Sequence, residues 1–195
     1  MFTPGNRTVH VDEGTAIGSF VIAVHATDND IGSQGDVYYA LDAGNIDESF
    51  LINRTSGVIA TAQRLDRETT AVYNLKVKAY DGAVEEKVRF SFELIVVHIG
   101  DLNDNAPRFT KNGFASRVNE NENLNDVILH VDAMDRDAGA NAKLRFSITS
   151  GNSDGYFDIK ADTGDIIVKR SLDLEGPAPP SLNYSLGKAI FYSPS

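Results

Sequence analysis

The stretch Asp101-Leu102-Asn103-Asp104-Asn105-Ala106-Pro107 lies between two copies of one sequence pattern in a chain of 195 residues. Acidic, aromatic and glycine residues of the first copy return 107 positions later in the second. These pairs include Glu13 and Glu120, Asp28 and Asp135, Asp66 and Asp173, Phe50 and Phe157, and Gly57 and Gly164. A constant offset over so many positions indicates that one fold is used twice.

The two copies set the expected domain boundaries. We predict a first repeat over residues 1–100, a linker over 101–107 and a second repeat over 108–195, each long enough to bury a core. After Glu175 the second copy departs from the first, and the segment 88–99 of the first copy has no counterpart before the last residue. We therefore expect the second repeat to be C-terminally truncated.

The apolar residues follow a period of two, which is typical of β-strands. This spacing is found over residues 73–79 and 88–96 of the first copy and over residues 127–131 and 144–148 of the second. No stretch of ten or more residues shows convincing helical spacing, and turn residues come at short intervals. We predict an all-β fold in which each copy is an antiparallel sandwich.

Composition limits the possible partners. The formal net charge is −10, and there is no cysteine. Nucleic acids and anionic membranes require a positive surface, so neither is an expected partner. Without cysteine, disulfides and thiolate metal sites are excluded. No apolar run reaches the roughly 18 residues of a membrane span, so we expect no direct membrane insertion by this segment and regard cations as the natural partners.

The linker is rich in hard oxygen donors and ends in a proline. Carboxylates, amides and backbone carbonyls are the ligands of calcium, whereas magnesium keeps its waters and zinc favours nitrogen or sulfur. The acidic segments that begin at Asp28 and Asp135 are not EF-hands, because loop position twelve is Tyr39 or Phe146 instead of glutamate. We predict calcium as the bound ion.

Four motifs together carry a family resemblance. They are Asp12-Glu13-Gly14, Leu65-Asp66-Arg67-Glu68, the linker with its continuation Arg108-Phe109, and Ala133-Met134-Asp135-Arg136-Asp137-Ala138-Gly139-Ala140-Asn141. With these motifs the chain resembles tandem cadherin repeats over residues 2 to about 175. The resemblance implies two seven-stranded Greek-key β-sandwiches from inside a larger cadherin or protocadherin-like protein, with up to three calcium ions at their junction.

The resemblance also implies the ligands of each ion. The outermost ion would be held by Glu13, Asp66, Glu68 and Asp104. The second would be held by Glu13, Glu68, Asp101, Asp104, Asp137 and the carbonyl of Leu102. The third would use Asn103, the carbonyl of Asn105, Asp135, Asp137 and the backbone of Asn141, and we expect it to be weaker because a further aspartate of the second repeat is missing. A receiving half-site toward an upstream repeat would consist of Asp28, Asp30 and Asp81.

The resemblance implies calcium-dependent, homophilic cell–cell adhesion at the cell surface. The partners would be other cadherin ectodomains, homophilic or heterophilic, and the full-length protein would be anchored in the membrane. The chain has no tryptophan, which argues against the strand-swapped dimers of the family and leaves an overlapping side-to-side dimer. The alternatives are a non-adhesive spacer and a soluble truncated decoy.

We expect no enzyme activity, and the remote alternative is a glycosidase that uses Asp66 and Glu68 as its two carboxylates. The histidines are expected to be ordinary strand residues, at positions His10, His25, His98 and His130. If the chain is secreted, glycans could be attached at the sequons of Asn6, Asn53 and Asn183.

Overall fold

The computed structural model describes residues 2, 7–28, 36–81 and 89–172. The chain divides into two compact units, Met1–Leu102 and Asn103–Ser195. Both are built from β-strands, and the only helical element in the described part of the chain is the short 3-10 turn Ile46–Glu48. The predicted all-β class is confirmed. Within the same described residues, no helix is long and apolar enough to cross a bilayer.

The described part of the first unit contains seven strands. They are β1 (Arg7–Asp12), β2 (Phe20–Ala23), β3 (Val37–Ala43), β4 (Phe50–Ile52), β5 (Val58–Thr61), β6 (Val72–Asp81) and β7 (Phe90–Gly100). One sheet has the strand order β1-β7-β6-β3, and the other has the order β2-β5-β4. Sheet neighbours that are distant in the chain are the mark of a Greek-key sandwich.

The core of the first unit lies between these two sheets. Leu75 and Val77 of β6, Ile95 of β7 and Ile59 of β5 are fully buried and belong to one hydrophobic cluster. Successive side chains of a strand point to opposite faces. The period-two spacing over residues 73–79 therefore identifies the core-facing side of β6.

Strand β7 differs, because its predicted apolar repeat faces outward. Phe90 and Phe92 are 59% and 41% exposed, while the odd-numbered residues between them and Ile99 face the core. Two lysines of β6 cover these rings. The Nζ atom of Lys76 lies 3.8 Å from the ring centre of Phe92, and that of Lys78 lies 4.8 Å from the ring centre of Phe90. Their methylene stems shield apolar surface while the ammonium groups remain hydrated.

The first strand departs from the antiparallel prediction. β1 runs parallel to β7, with Arg7 opposite Ile95, whereas Phe2 forms an antiparallel bridge to Ala26. A parallel pair requires a long crossover connection. The strands β2 to β6 supply it, because they all lie between β1 and β7 in the chain.

The second unit repeats part of this arrangement. Its described strands are β8 (Arg108–Phe109), β9 (Val127–His130), β10 (Ala133–Met134), β11 (Phe157–Ile159) and β12 (Asp165–Val168). They form a sheet of order β11-β12-β9 and a short pair, β10-β8. A smaller core contains Val131, Phe146 and Ile166.

The offset of 107 is reproduced in the strand register. In the β2–β5 pair, cross-strand partners are Ala23 with Val58 and Ile22 with Ile59. Adding 107 to each number gives partners in the β9–β12 pair, namely His130 with Asp165 and Leu129 with Ile166. The sequence repeat is therefore also a structural repeat, down to individual residue pairs.

The predicted strand over residues 144–148 is not observed. Phe146 is buried like its counterpart Tyr39 of β3, and its N–H donates to the carbonyl of Ala161 at 2.8 Å, but these residues are not assigned as a strand. In the first unit β3 is held by β6. The positions offset by 107 from β6 fall after residue 172, so the described residues contain no partner strand for this segment.

Some predictions fall outside the described residues. They concern Asp30, Asn6, Asn183 and the tail after residue 175 with its expected truncation.

Candidate metal centre

Glu13 is the anchor of the acidic residues in the first unit. It follows β1 directly and is only 6% exposed. Its Oε2 accepts the N–H of Arg67 at 2.9 Å, and its Oε1 accepts the N–H of Leu102 at 2.6 Å. Because one carboxylate binds both segments, it holds the 65–68 motif and the start of the linker beside β1.

Arg67 lies among the neighbouring carboxylates. Its guanidinium pairs with Glu68, and its Nε lies 2.5 Å from an oxygen of Asp101. Burial lowers the pKa of Arg67, but the charges of Asp101 and Glu68 raise it, and the net direction is upward. The guanidinium therefore offsets part of the negative charge in this cluster.

Asp66 occupies a more exposed position at the same end of the first unit. Its Oδ1 accepts the N–H of Thr69 at 3.0 Å, and its Oδ2 accepts the Thr69 hydroxyl at 2.9 Å. A short acidic side chain that bonds to the backbone a few residues on is a common turn geometry. The turn holds the Asp66 carboxylate at the protein surface.

In the second unit, predicted ligands gather around Asp137, which is 6% exposed. Its Oδ1 accepts the backbone N–H of Asn105 at 3.2 Å and the side-chain Nδ2–H of Asn105 at 2.9 Å. The N–H of Asp137 donates to Oδ1 of Asp135 at 3.0 Å. The Asn105 amide also donates to Asp104 at 2.8 Å. This single amide side chain thus links the linker residues to the 135–137 motif.

An open cleft of about 320 Å³ adjoins these groups in the second unit. Its lining is formed by Asn103, Asp104, Asn105, Ala106, Pro107, Asp135, Asn141 and Lys143. Asn141 is positioned by a turn in which its N–H donates to the carbonyl of Ala138 at 3.1 Å. The cleft therefore brings together the second unit's predicted ligands, except Asp137, around a space large enough for a cation.

The receiving half-site is partly described. Asp28 and Asp81 line one cleft of about 320 Å³ in the first unit. Asp81 is buried, and both of its carboxylate oxygens lie 3.2 Å from the N–H of Arg89. The structure thus brings together two of the three residues assigned to this half-site, and the third, Asp30, is not described.

The donor set of these clusters suits a hard cation. The predicted ligands offer carboxylate, amide and carbonyl oxygens and neither imidazole nor thiolate, which is the chemistry of calcium. The carboxylates of the alternative hydrolase have other contacts, since Asp66 is bonded to Thr69 and Glu68 to Arg67.

Two features of these clusters were missed at the level of sequence. The first is the charge-balancing role of Arg67, which its position between Asp66 and Glu68 in the sequence could have indicated. The second is the side chain of Asn105, which was assigned through its carbonyl alone. A hydrogen bond from that amide to Asp137 depends on a contact between residues 32 positions apart, so no local pattern announces it.

Comparisons with known proteins agree with this architecture. A family profile described as "Cadherin domain" matches residues 7–97 and 114–186. Human protocadherin-23 is 36% identical over 166 residues, which cover 85% of this chain and 5% of that protein. The mouse cadherin EGF LAG seven-pass G-type receptor 2 is 37% identical over 174 residues, which cover 89% of this chain and 6% of that protein.

Solved structures show the same likeness. The crystal structure of mouse cadherin-23 EC22-24 matches with a TM-score of 0.81 and 31% identity, over 89% of this chain and 54% of that chain. The protocadherin gammaB4 extracellular domain matches with a TM-score of 0.75 and 26% identity, over 89% of this chain and 29% of that chain.

Two β-sandwich repeats with acidic residues at their ends define a tandem adhesion-type module. The chain belongs to the cadherin family and contains two cadherin repeats. It is accordingly a pair of adhesion-family domains and not an enzyme. The chain spans about a twentieth of the length of the curated relatives that it matches.

Proposed function

We propose that this chain is a segment of a cell-surface cadherin ectodomain in which calcium stiffens the junction between two repeats for calcium-dependent, homophilic cell–cell adhesion. Cadherin domains bind calcium at the junctions between repeats. The observation that carries the proposal is the placement of Glu13. Its buried carboxylate is held by backbone donors from both the 65–68 motif and the linker.

In this proposal the ions take ligands from both units, whose boundary between Leu102 and Asn103 falls inside the linker. The first unit supplies Glu13, Asp66, Glu68, Asp101 and the carbonyl of Leu102. The second supplies Asn103, Asp104, the carbonyl of Asn105, Asp135, Asp137 and the backbone of Asn141. Hydrogen bonds within each unit already collect several of these groups, which supports the assignment.

The mechanism is electrostatic. Two carboxylates about 4 Å apart repel by about 1 kcal/mol in water and by more in a partly buried place. Calcium replaces this repulsion with attraction and, by sharing ligands between segments, fixes the linker conformation. Extracellular calcium modules bind at about 0.1 to 1 mM. Such a junction is filled outside cells and empty in the cytosol, in agreement with an extracellular location.

The first test is a thermal melt in about 2 mM calcium and in excess chelator. An ion with a dissociation constant of about 0.2 mM then stabilises the folded state by about 1.4 kcal/mol, which raises the melting temperature by about 6–11 °C for a domain of 60–100 residues. We expect at least this rise with calcium and a smaller one with equimolar magnesium, which resists dehydration. No rise with calcium would overturn the proposed sites.

A matched pair of variants locates the effect. Asp104→Asn removes one proposed ligand, and we expect it to lose at least half of the calcium-dependent rise. Asp154→Asn removes the same charge from an exposed position outside the clusters and should retain the full rise. Equal losses in the two variants would assign the effect to net charge and contradict specific ligation.

Adhesion itself requires a separate assay. Beads coated with the chain should aggregate in calcium and disperse in chelator if this segment contains an adhesive surface. A calcium-dependent rise in melting temperature without bead aggregation would support the stiffened junction but contradict the adhesive role. The chain would then act as a spacer.

A further inference from the structure

We propose that His10 and His98 form a two-imidazole site for a divalent transition metal, such as zinc, on the outer face of the first unit. The site is separate from the proposed calcium junction and rests on different residues. His10 lies on β1 and His98 on β7, and the two are direct partners in the parallel register. Their rings stack with centroids 5.1 Å apart and planes inclined by 20°.

The backbone holds the two histidines as neighbours. Adjacent strands lie about 4.8 Å apart, and six consecutive residue pairs join β1 to β7 around this position. Only the side-chain torsions need to change for metal binding. Two nitrogens bound tetrahedrally at about 2.0–2.1 Å from zinc lie about 3.3 Å apart, so a modest rotation of each stacked ring is sufficient.

The pair lies at the edge of its sheet and is partly open to solvent. β1 is the edge strand of its sheet, and His10 is exposed while His98 is half-buried. In the described part of the chain, neither imidazole makes a hydrogen bond or an ion pair. By contrast, Nδ1 of His130 lies 3.0 Å from the carboxylate of Asp165. Within the described residues, metal binding would therefore replace only the stacking contact between the two rings.

The chemistry separates this site from the acidic clusters. Imidazole suits zinc, copper and nickel, whereas calcium requires oxygen ligands. No cluster of three or more metal-ligating side chains within the described residues includes either histidine, so water would complete the coordination. Asp12, two residues after His10, points toward β7, since its Oδ1 would lie 2.2 Å from a Cβ at Gly100. It adds negative charge to this face of the sheet.

The test is a calorimetric titration of the full chain with zinc chloride at pH 7.4, in about 2 mM calcium so that the oxygen sites are occupied. We expect one zinc ion per chain and at least tenfold weaker binding in His10→Gln and in His98→Gln. His25→Gln is the matched control, because His25 is an exposed histidine outside the pair. Its affinity should stay within twofold of wild type.

A second measurement on the unaltered chain avoids dependence on folding of the variants. Zinc should shift the imidazole NMR signals of His10 and His98 together and leave those of His25 in place. Absence of zinc binding in calcium, variants that bind as wild type does, or shifts confined to other histidines would each overturn the proposal.

Discussion

Glu93 is a carboxylate placed on the core-facing side of β7. Its side chain is 3% exposed, and Nε of Arg7 lies 3.1 Å away. Burial raises the pKa of Glu93, and the positive charge of Arg7 opposes this without reversing it. The folded state therefore binds the proton of the Glu93 carboxyl group more tightly than the unfolded state does. The stability that this protonation contributes is lost as the pH rises through the raised pKa.

Replacing Glu93 by glutamine removes this titration. We expect the difference in free energy of unfolding between Glu93→Gln and wild type to move in favour of the variant as the pH rises from 4 to 7. The change begins near 4.5, the ordinary pKa of glutamate. Urea unfolding at several pH values in chelator measures it. Glu48→Gln, at an exposed turn, is the control, and parallel curves for the two variants would contradict the assignment.

At the scale of elements, one glycine per repeat determines how closely a hairpin approaches the end of a neighbouring strand. The hairpin is β4–β5 beside the end of β2 in the first repeat, and β11–β12 beside the end of β9 in the second. Gly57 has φ +68°, and a Cβ there would lie 2.4 Å from the carbonyl oxygen of Val24. Gly164 has φ +74°, and a Cβ there would lie 2.3 Å from the carbonyl oxygen of Val131. The same close approach in both repeats explains why this glycine shares the offset of 107.

A pair of alanine variants separates backbone strain from contact. Gly18 also has a positive φ, +86°, but nothing lies within 4 Å of its Cβ position. We expect Gly18→Ala to cost about 1–2 kcal/mol, the penalty of the left-handed conformation. Gly57→Ala should cost at least about 1 kcal/mol more, because the hairpin must move off the Val24 carbonyl. If urea unfolding gives the two variants the same loss of unfolding free energy, the contact with the Val24 carbonyl relaxes at no cost and the prediction is wrong.

At the scale of the whole molecule, net charge makes stability depend on ionic strength. The chain carries a net charge of −10, and salt shortens the Debye length from about 10 Å at 0.1 M to about 3 Å at 1 M. In chelator, we expect the melting temperature to rise as sodium chloride increases from 0.05 to 0.5 M. In about 2 mM calcium the rise should be smaller, since the ions already neutralise the acidic clusters. Identical salt dependence in both conditions would contradict this prediction.

The sequence was most informative where its residue pattern repeats. The offset of 107 predicted that one fold is used twice, and the alternation over residues 73–79 identified the core side of β6. It could not show that β1 is parallel to β7, because the period of a strand does not reveal its neighbour. For the same reason the sequence did not show that Phe90 and Phe92 face outward. Strand β7 has apolar residues on both faces, so its alternation does not identify which face is buried.

The candidate sites show the same division. Acidic motifs were visible because several ligands fall within short segments such as 66–68 and 101–105. The role of Arg67 required its side-chain direction, and the stacking of His10 on His98 required the register of strands separated by most of the first unit. Contacts of this kind arise only after the chain has folded.

The parallel pairing of β1 has a consequence for biosynthesis. Strand β1, which begins at Arg7, can pair with β7 only after Ile95 has been synthesised. At a synthesis rate of about 5 to 20 residues per second, the 88 residues from Thr8 to Ile95 take about 4 to 18 seconds to be added. Throughout this interval the growing chain carries β1 without its β7 partner, so the first repeat completes its fold only after β7 has been synthesised and released from the ribosome.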